Sequence, residues 1–376
     1  MKSWNVEICD VTLRDGEQTP GVSFSCEEKI RIAETLDQIG VEVIEAGFPI
    51  TSPYEKHCVR TISHLDLDAR ICCLARARTG DIETAIDCDV DMISIFIPTS
   101  ELHVRHKFHR PRREVLAEAL EMIDLTHDHG MQVRFAAEDA SRTDLPFLQE
   151  VYRKGEEHGA DLLSFADTVG ALTPMEMWET MKELVAHASR PLCAHCHNDM
   201  GCATANTLTA AAAGAFQLHT TVNGIGERAG NAALEEVLVA LHMKGGVHRY
   251  DLSLLTPLSR MVTQYSGVPV DRLKPVVGDN AFRHESGIHI AAILEDPETY
   301  ELFSPTLVGS MRKFILGKHT GKKALEHEIA RLGYHLEEPQ ICRVLEMVKD
   351  RGEKKVDLTD ETLIDLIKLV TEGPGW

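Results

Sequence analysis

The chain has 376 residues, 43% hydrophobic and 26% charged, with a formal net charge of -20 at pH 7. That length holds one large domain plus a smaller one, and the acidic balance excludes a nucleic-acid surface, so positive charge for an anionic ligand must be local. No apolar run approaches the roughly 20 residues of a membrane span, and the start "MKSWNVEICD" lacks the apolar core of a signal peptide.

A cytoplasmic protein with neither membrane nor nucleic-acid partner is therefore expected, its ten cysteines reduced and mostly small buried hydrophobes. In chain order, short β-branched runs recur: "VEICDV", "VEVIEAGF", "ARICCLA", "DMISIFI", "MQVRFAA", "DLLSFAD", "RPLCAHC" and "FQLHTTV". Helical patterns follow them, among them Cys26 to Ile39, Glu114 to His129, Leu145 to His158, Pro174 to Ala188 and Thr204 to Gly214. Eight strands alternating with helices predict a (β/α)8 TIM barrel over residues 1–249, with a doubly wound open sheet as the alternative. Residues 250–376 carry no strong strand pattern and predict a helical C-terminal appendage of lid or dimerisation type.

A barrel gathers its chemistry at the C-terminal ends of its strands. Arg14, Asp15, Glu17 and Gln18 follow the first run, Glu138-Asp139 the fifth, Asp167-Thr168 the sixth, His195 and His197 the seventh, and "NGIGERAGN" the eighth. Singly, each is a loop with solvated charges; together they share one predicted end. In "LCAHCHNDMG", strand alternation puts Cys193, His195 and His197 on one face and Cys196 on the other. Both imidazoles can thus meet one ion. Cys193, roughly 7 Å deeper by strand rise, belongs to the packed interior. A histidine pair with one ring packed and one in solvent is the plainer alternative. A zinc knuckle is disfavoured, since Cys193 and Cys196 diverge and no second pair sits at matching spacing.

The stretches "DVTLRDGEQTPGVSFS", "EAGFP", "EDASRTD", "DTVGALTP", "AHCHNDMG", "VNGIGERAGNAALEEV" and "HESGIH" resemble, in order from about residue 6 to 335, the acyl-CoA-condensing DRE-TIM metallolyases. These are the homocitrate, 2-isopropylmalate and citramalate synthases. The resemblance implies a Claisen condensation of acetyl-CoA with a 2-oxo acid on a divalent metal (Mg, Mn, Zn or Co), in a homodimer with exchanged appendages. It implies Asp15, His195 and His197 as metal ligands, with Asn231 as a further or water-mediated one. Arg14 would stabilise developing negative charge, and Glu138, His289 and Tyr300 would handle the acetyl proton, in an order the sequence leaves open. For a chain ending at Trp376 it implies a short form without the regulatory domain, commonly a homocitrate synthase.

One carboxylate and two imidazoles leave about three positions open on an octahedral ion, enough for a 2-oxo acid to chelate. Thr168 can donate to its carboxylate, and Gln18 lies in the same predicted mouth. Acceptor choice turns on Arg134, which alternation places with Ala136 and Glu138 on the barrel-facing side of the fifth strand. Either Arg134 grips a second substrate carboxylate, which favours 2-oxoglutarate, or it forms an internal ion pair with Glu138 or Glu45. Ala136 replaces the serine usual in homocitrate synthases. His103 and Thr99 of "IPTSELHVRHK" could compensate, although that segment is more similar to the leucine-pathway enzymes, which leaves 2-isopropylmalate or citramalate synthase as the alternative.

Overall fold

Eight parallel strands close in sequence order: β1 (Glu7–Asp10), β2 (Val43–Glu45), β3 (Arg70–Arg76), β4 (Met92–Pro98), β5 (Gln132–Glu138), β6 (Leu162–Asp167), β7 (Leu192–Cys196) and β8 (Gln217–Thr220). The computed structural model describes residues 3–372. β8 returns to β1 with Glu7 opposite Gln217 and Asp10 opposite Thr220, so the sheet is a closed barrel and the open doubly wound alternative is excluded.

Helices join the strands on the outside: α1 (Cys26–Ile39), α2 (Pro53–Ser63), α3 (Thr79–Ile86), α4 (Glu101–Phe108), α5 (Arg112–Asp128), α6 (Leu145–Glu157), α7 (Pro174–His187), α8 (Ala203–Ala213) and α9 (Leu234–Ala240). Their ends are written locally. α1 opens on a Ser25/Glu28 capping box and stops at Gly40, whose φ of 93° suits a residue without Cβ. α7 opens on Thr173 and Glu176 with Pro174 in its first turn. The lower interior is sealed by Cys9, Val11, Val43, Cys72, Met92, Leu162 and Cys193, which places Cys193 in the packed interior.

The chain divides into two compact units, residues 1–270 and 271–376. The boundary lies beyond the expected 249/250 because α10 (Leu255–Ser266) is tied to the barrel. Asn223, in the turn after β8, donates to Ser259 O at 3.0 Å and Thr263 Oγ1 at 3.2 Å, and accepts from Ser259 Oγ at 2.5 Å. In the second unit α11 (Gly287–Glu295), α12 (Lys322–Arg331), α13 (Glu338–Glu353) and α14 (Asp360–Thr371) are helical as expected. Leu325, Ile329, Val344, Val348, Leu366 and Ile367 form its core. It also holds a parallel pair that the sequence did not suggest, β9 (Arg283–His284) with β10 (Lys313–Phe314), too short for a period-2 pattern.

Candidate active site

After β1 the chain folds tightly enough that the amides of Arg14, Asp15 and Gly16 all donate to Val11 O, at 3.2, 2.8 and 3.2 Å. Lys29, buried in α1, braces this turn, its ammonium reaching Leu13 O at 3.2 Å and the carboxylates of Glu17 and Glu55 at 2.7 Å. Asp15 is thereby aimed at the end of β7. Its Oδ2 lies 3.3 Å from His195 Nε2 and 3.6 Å from His197 Nε2, and the two ring nitrogens are 3.2 Å apart. All three side chains are buried, and they form the one such metal-competent cluster among the described residues.

The donor set fits a divalent cation on its own chemistry. Asp15 Oδ2 is buried without a hydrogen bond, and so are His197 Nδ1 and Asn231 Oδ1. Asn231 pairs with His197 across an isolated antiparallel bridge and gives its amide hydrogen to Ile225 O at 3.2 Å, which leaves its oxygen uncommitted. Burial would raise the Asp15 pKa, but Arg14 and the two imidazoles outweigh it and hold the carboxyl well below its usual range. Burial, followed by the neighbouring His195, pushes His197 down to about 4. An ionised carboxylate beside a neutral imidazole is the protonation a metal site needs.

A cavity of about 320 Å³ opens on this cluster, lined by Arg14, Asp15, Gln18, Arg134, Glu138, Thr168, His195 and His197. Arg14 is fixed by Glu45 Oε2 at 2.6 Å and Asp15 Oδ1 at 3.2 Å. Thr168 Oγ1 accepts from Asp139 N at 2.9 Å, which frees its own proton to donate. Arg228 straps the neighbouring loops, donating to Asp199 at 2.8 and 3.0 Å and to Thr168 O at 2.6 Å. Gly170, at φ 56°, lies so close to this strap that an added Cβ would meet Asp199 N and His197 O at 2.8 Å.

Of the two readings of Arg134, the ion pair with Glu45 is present. Arg134 is 1% exposed; its Nε donates to Ser94 Oγ at 3.1 Å and its Nη1 to Gln217 Oε1 at 2.9 Å, with His219 Nε2 at 3.2 Å. Glu45 lies between Arg14 and Arg134, which together outweigh its burial and keep it ionised. Glu138 is held by Lys107 and lies 3.5 Å from His103 Nδ1. Lys107 lines the cavity, whereas His103 stands beside it, with Arg142 Nη2 at 3.2 Å from its Nε2. Thr99 hydrogen-bonds to Glu138 O at 3.1 Å and Thr143 Oγ1 at 2.7 Å and is not among the residues that line the cavity.

Lys107, Ser94, Ser164 and His219 line the cavity without having been singled out. Lys107 had a signal, falling one helical turn after His103 in α4; the other three became legible only through strand register. In the second unit, His289 on α11 stacks on Tyr300, ring centroids 4.0 Å apart at 27°. Beside them Glu301 accepts two hydrogen bonds from Arg312 at 2.6 Å and lies 3.5 Å from His284 Nε2.

Residues 5–262 match the family described as HMGL-like, and residues 276–356 the homocitrate synthase post-HMGL domain-like family. The chain is 52% identical over 370 residues to homocitrate synthase AksA of Methanosarcina acetivorans, covering 98% of this chain and 91% of that protein. It is 48% identical to the probable 2-isopropylmalate synthase of Methanopyrus kandleri over 355 residues, 93% of this chain and 70% of that one. Among solved structures, the HMG-CoA lyase of Bacillus subtilis shares the fold at a TM-score of 0.65 and 21% identity, covering 72% of this chain and 97% of the lyase.

Proposed function

The chain belongs to the HMGL-like family, with a homocitrate synthase post-HMGL domain behind its barrel, and on that premise we propose that it condenses acetyl-CoA with a 2-oxo acid, 2-oxoglutarate being the preferred acceptor. It is an acyltransferase enzyme. The observation that carries the chemistry is the buried Asp15, His195 and His197 cluster at the mouth of a cavity that also presents Arg14, Glu138 and Thr168.

Asp15, His195 and His197, with Asn231 directly or through water, would hold a divalent ion that supplies Lewis-acid polarisation of the acceptor carbonyl when bound. Arg14, pinned by Glu45 and Asp15, stands ready where negative charge develops on the carbonyl oxygen, and burial strengthens that interaction. Thr168 donates its hydroxyl to the acceptor's first carboxylate, and Gln18 lines the same wall. Glu138, His289 and Tyr300 are the groups proposed to handle the acetyl methyl proton, and within the second unit His289 and Tyr300 stack on each other. Glu138 Oε2 is buried without a hydrogen bond, which leaves it uncommitted at the cavity wall. A homodimer belongs to the same proposal.

The second reading, 2-isopropylmalate or citramalate synthase, is favoured by one observation: the Arg134–Glu45 pair already gives the guanidinium an anion. A thiol-release assay with acetyl-CoA, a divalent metal, and 2-oxoglutarate, 2-oxoisovalerate or pyruvate separates the two. Fastest release with 2-oxoglutarate supports the proposal, preference for a monocarboxylic acceptor gives the second, and no release with any acceptor defeats both.

A further inference from the structure

Resting on the acetyl-CoA/2-oxo acid proposal above, we infer that Ser164 on β6 is a specificity-determining residue: its hydroxyl, beside Arg134 and Ser94, receives the carboxylate that separates a dicarboxylic acceptor from a monocarboxylic one. The strand register carries this. His195 stands opposite Ala166, and Ser164 lies two residues deeper on the same strand, roughly 7 Å below the metal cluster by strand rise. Ser164 in turn stands opposite Ala136, and Arg134, two residues deeper on β5, stands opposite Ser94. Three polar side chains on adjacent strands therefore face the cavity beneath the cluster.

Their hydrogen-bonding state points to an anion. Ser164 is 2% exposed, lines the cavity, and its hydroxyl makes no hydrogen bond among the described residues. Ser94 Oγ accepts from Arg134 Nε, so its own proton is free to donate. Glu45 and Gln217 hold the guanidinium in place, and the Ala136 side chain, a single methyl, leaves room above it. A buried floor with two spare hydroxyl donors around a cation suits a carboxylate. The methyl groups of a branched monocarboxylic acid would leave those hydroxyls dry and unpaired, which is unfavourable.

The test compares wild type, Ser164→Ala and Ser164→Thr by two readouts. One is calorimetric binding of 2-oxoglutarate and of 2-oxobutyrate, which lacks the distal carboxylate, to the metal-loaded protein; the other is kcat/KM for 2-oxoglutarate and pyruvate. Losing a hydrogen bond to a charged group should weaken 2-oxoglutarate binding about 10- to 100-fold in Ser164→Ala. The kinetic loss should lie mainly in KM, with 2-oxobutyrate and pyruvate changing far less and Ser164→Thr restoring most of the difference. Equal losses for both acids, or unchanged 2-oxoglutarate binding, overturn the inference while leaving the condensation proposal standing. A wild type that binds 2-oxoglutarate no better than 2-oxobutyrate overturns the inference and the acceptor assignment together. Absence of turnover with intact, Ser164-dependent 2-oxoglutarate binding overturns only the reaction.

Discussion

Arg134→Ala probes the floor of the barrel most directly. It deletes a fully buried guanidinium and leaves Glu45, 0% exposed, with Arg14 as its one remaining cationic partner among the described residues. Removing one member of a buried pair destabilises by about 3–5 kcal/mol. Ser94 and Gln217 lose a partner as well, but Gln217 still donates to Glu7 at 2.7 Å and Glu45 keeps Arg14, so about 4 kcal/mol is expected in total. For a barrel of this size that is a fall of roughly 10 °C in melting temperature. The double variant Arg134→Met with Glu45→Met should recover about 2–3 kcal/mol of the summed single losses, because two apolar side chains leave no charge unpaired. Urea denaturation followed by circular dichroism, at one fixed metal concentration since bound metal shifts apparent stability, measures Arg134→Ala together with the cycle of wild type, Arg134→Met, Glu45→Met and the double variant. A single-variant loss under about 1 kcal/mol, or a double variant as unstable as the sum of the singles, would refute the pairing as described.

Four further outcomes are expected. Chelation should abolish turnover and a divalent ion restore it, while His197→Ala keeps the circular dichroism spectrum but binds no metal in a competition titration; full activity in excess chelator would contradict the cluster assignment. Cys193→Ser, which puts a hydroxyl among apolar side chains, should destabilise by about 1–3 kcal/mol with metal content unchanged, and metal loss at unchanged folding would return the cysteines to the ligand set. Burial lifts the Asp10 carboxyl to about 7, against a partial lowering by its hydrogen bonds from Thr12. Below pH 4 both states are protonated; between pH 4 and 7 only the unfolded state ionises, so stability falls by up to about 1.4 kcal/mol per unit, and Asp10→Asn should grow steadily more stabilising over that window, to at most about 4 kcal/mol at pH 8. Parallel stability curves for wild type and Asp10→Asn would exclude this. Gly170→Ala should cut kcat at least tenfold by displacing the His197 and Asp199 backbone, and a fully active Gly170→Ala enzyme would show that the loop yields freely.

Most of the barrel was legible because its signals are local. Eight β-branched runs and the Ser25-to-Gly40 punctuation of α1 need no tertiary information, and His195 and His197 share a face by alternation alone. What failed to show depends on distant partners. Whether Arg134 pairs with Glu45 or a ligand is set across 89 residues of sequence, by which side chains β2 and β5 turn inward. α10 looks like the start of the appendage until Asn223 is seen holding Ser259 and Thr263. Lys107 falls one helical turn after His103 in α4, but its contact with Glu138 lies 31 residues away on β5 and could not be read from that spacing.

The placement of Ser164 opposite Ala136 bears on how such chains drift apart. In a sequence alignment Ala136 reads as a lost hydroxyl, a mark against the dicarboxylate enzymes. In the barrel the adjacent strand carries a hydroxyl at the same height, Ser164 opposite Ala136, so that layer still presents one. Neighbouring strands can trade a functional group sideways without disturbing helices, loops or metal ligands. Substrate preference in closed barrels is therefore better compared layer by layer around the ring than column by column along the chain, and relatives that look divergent in single positions can still present the same interior to a ligand.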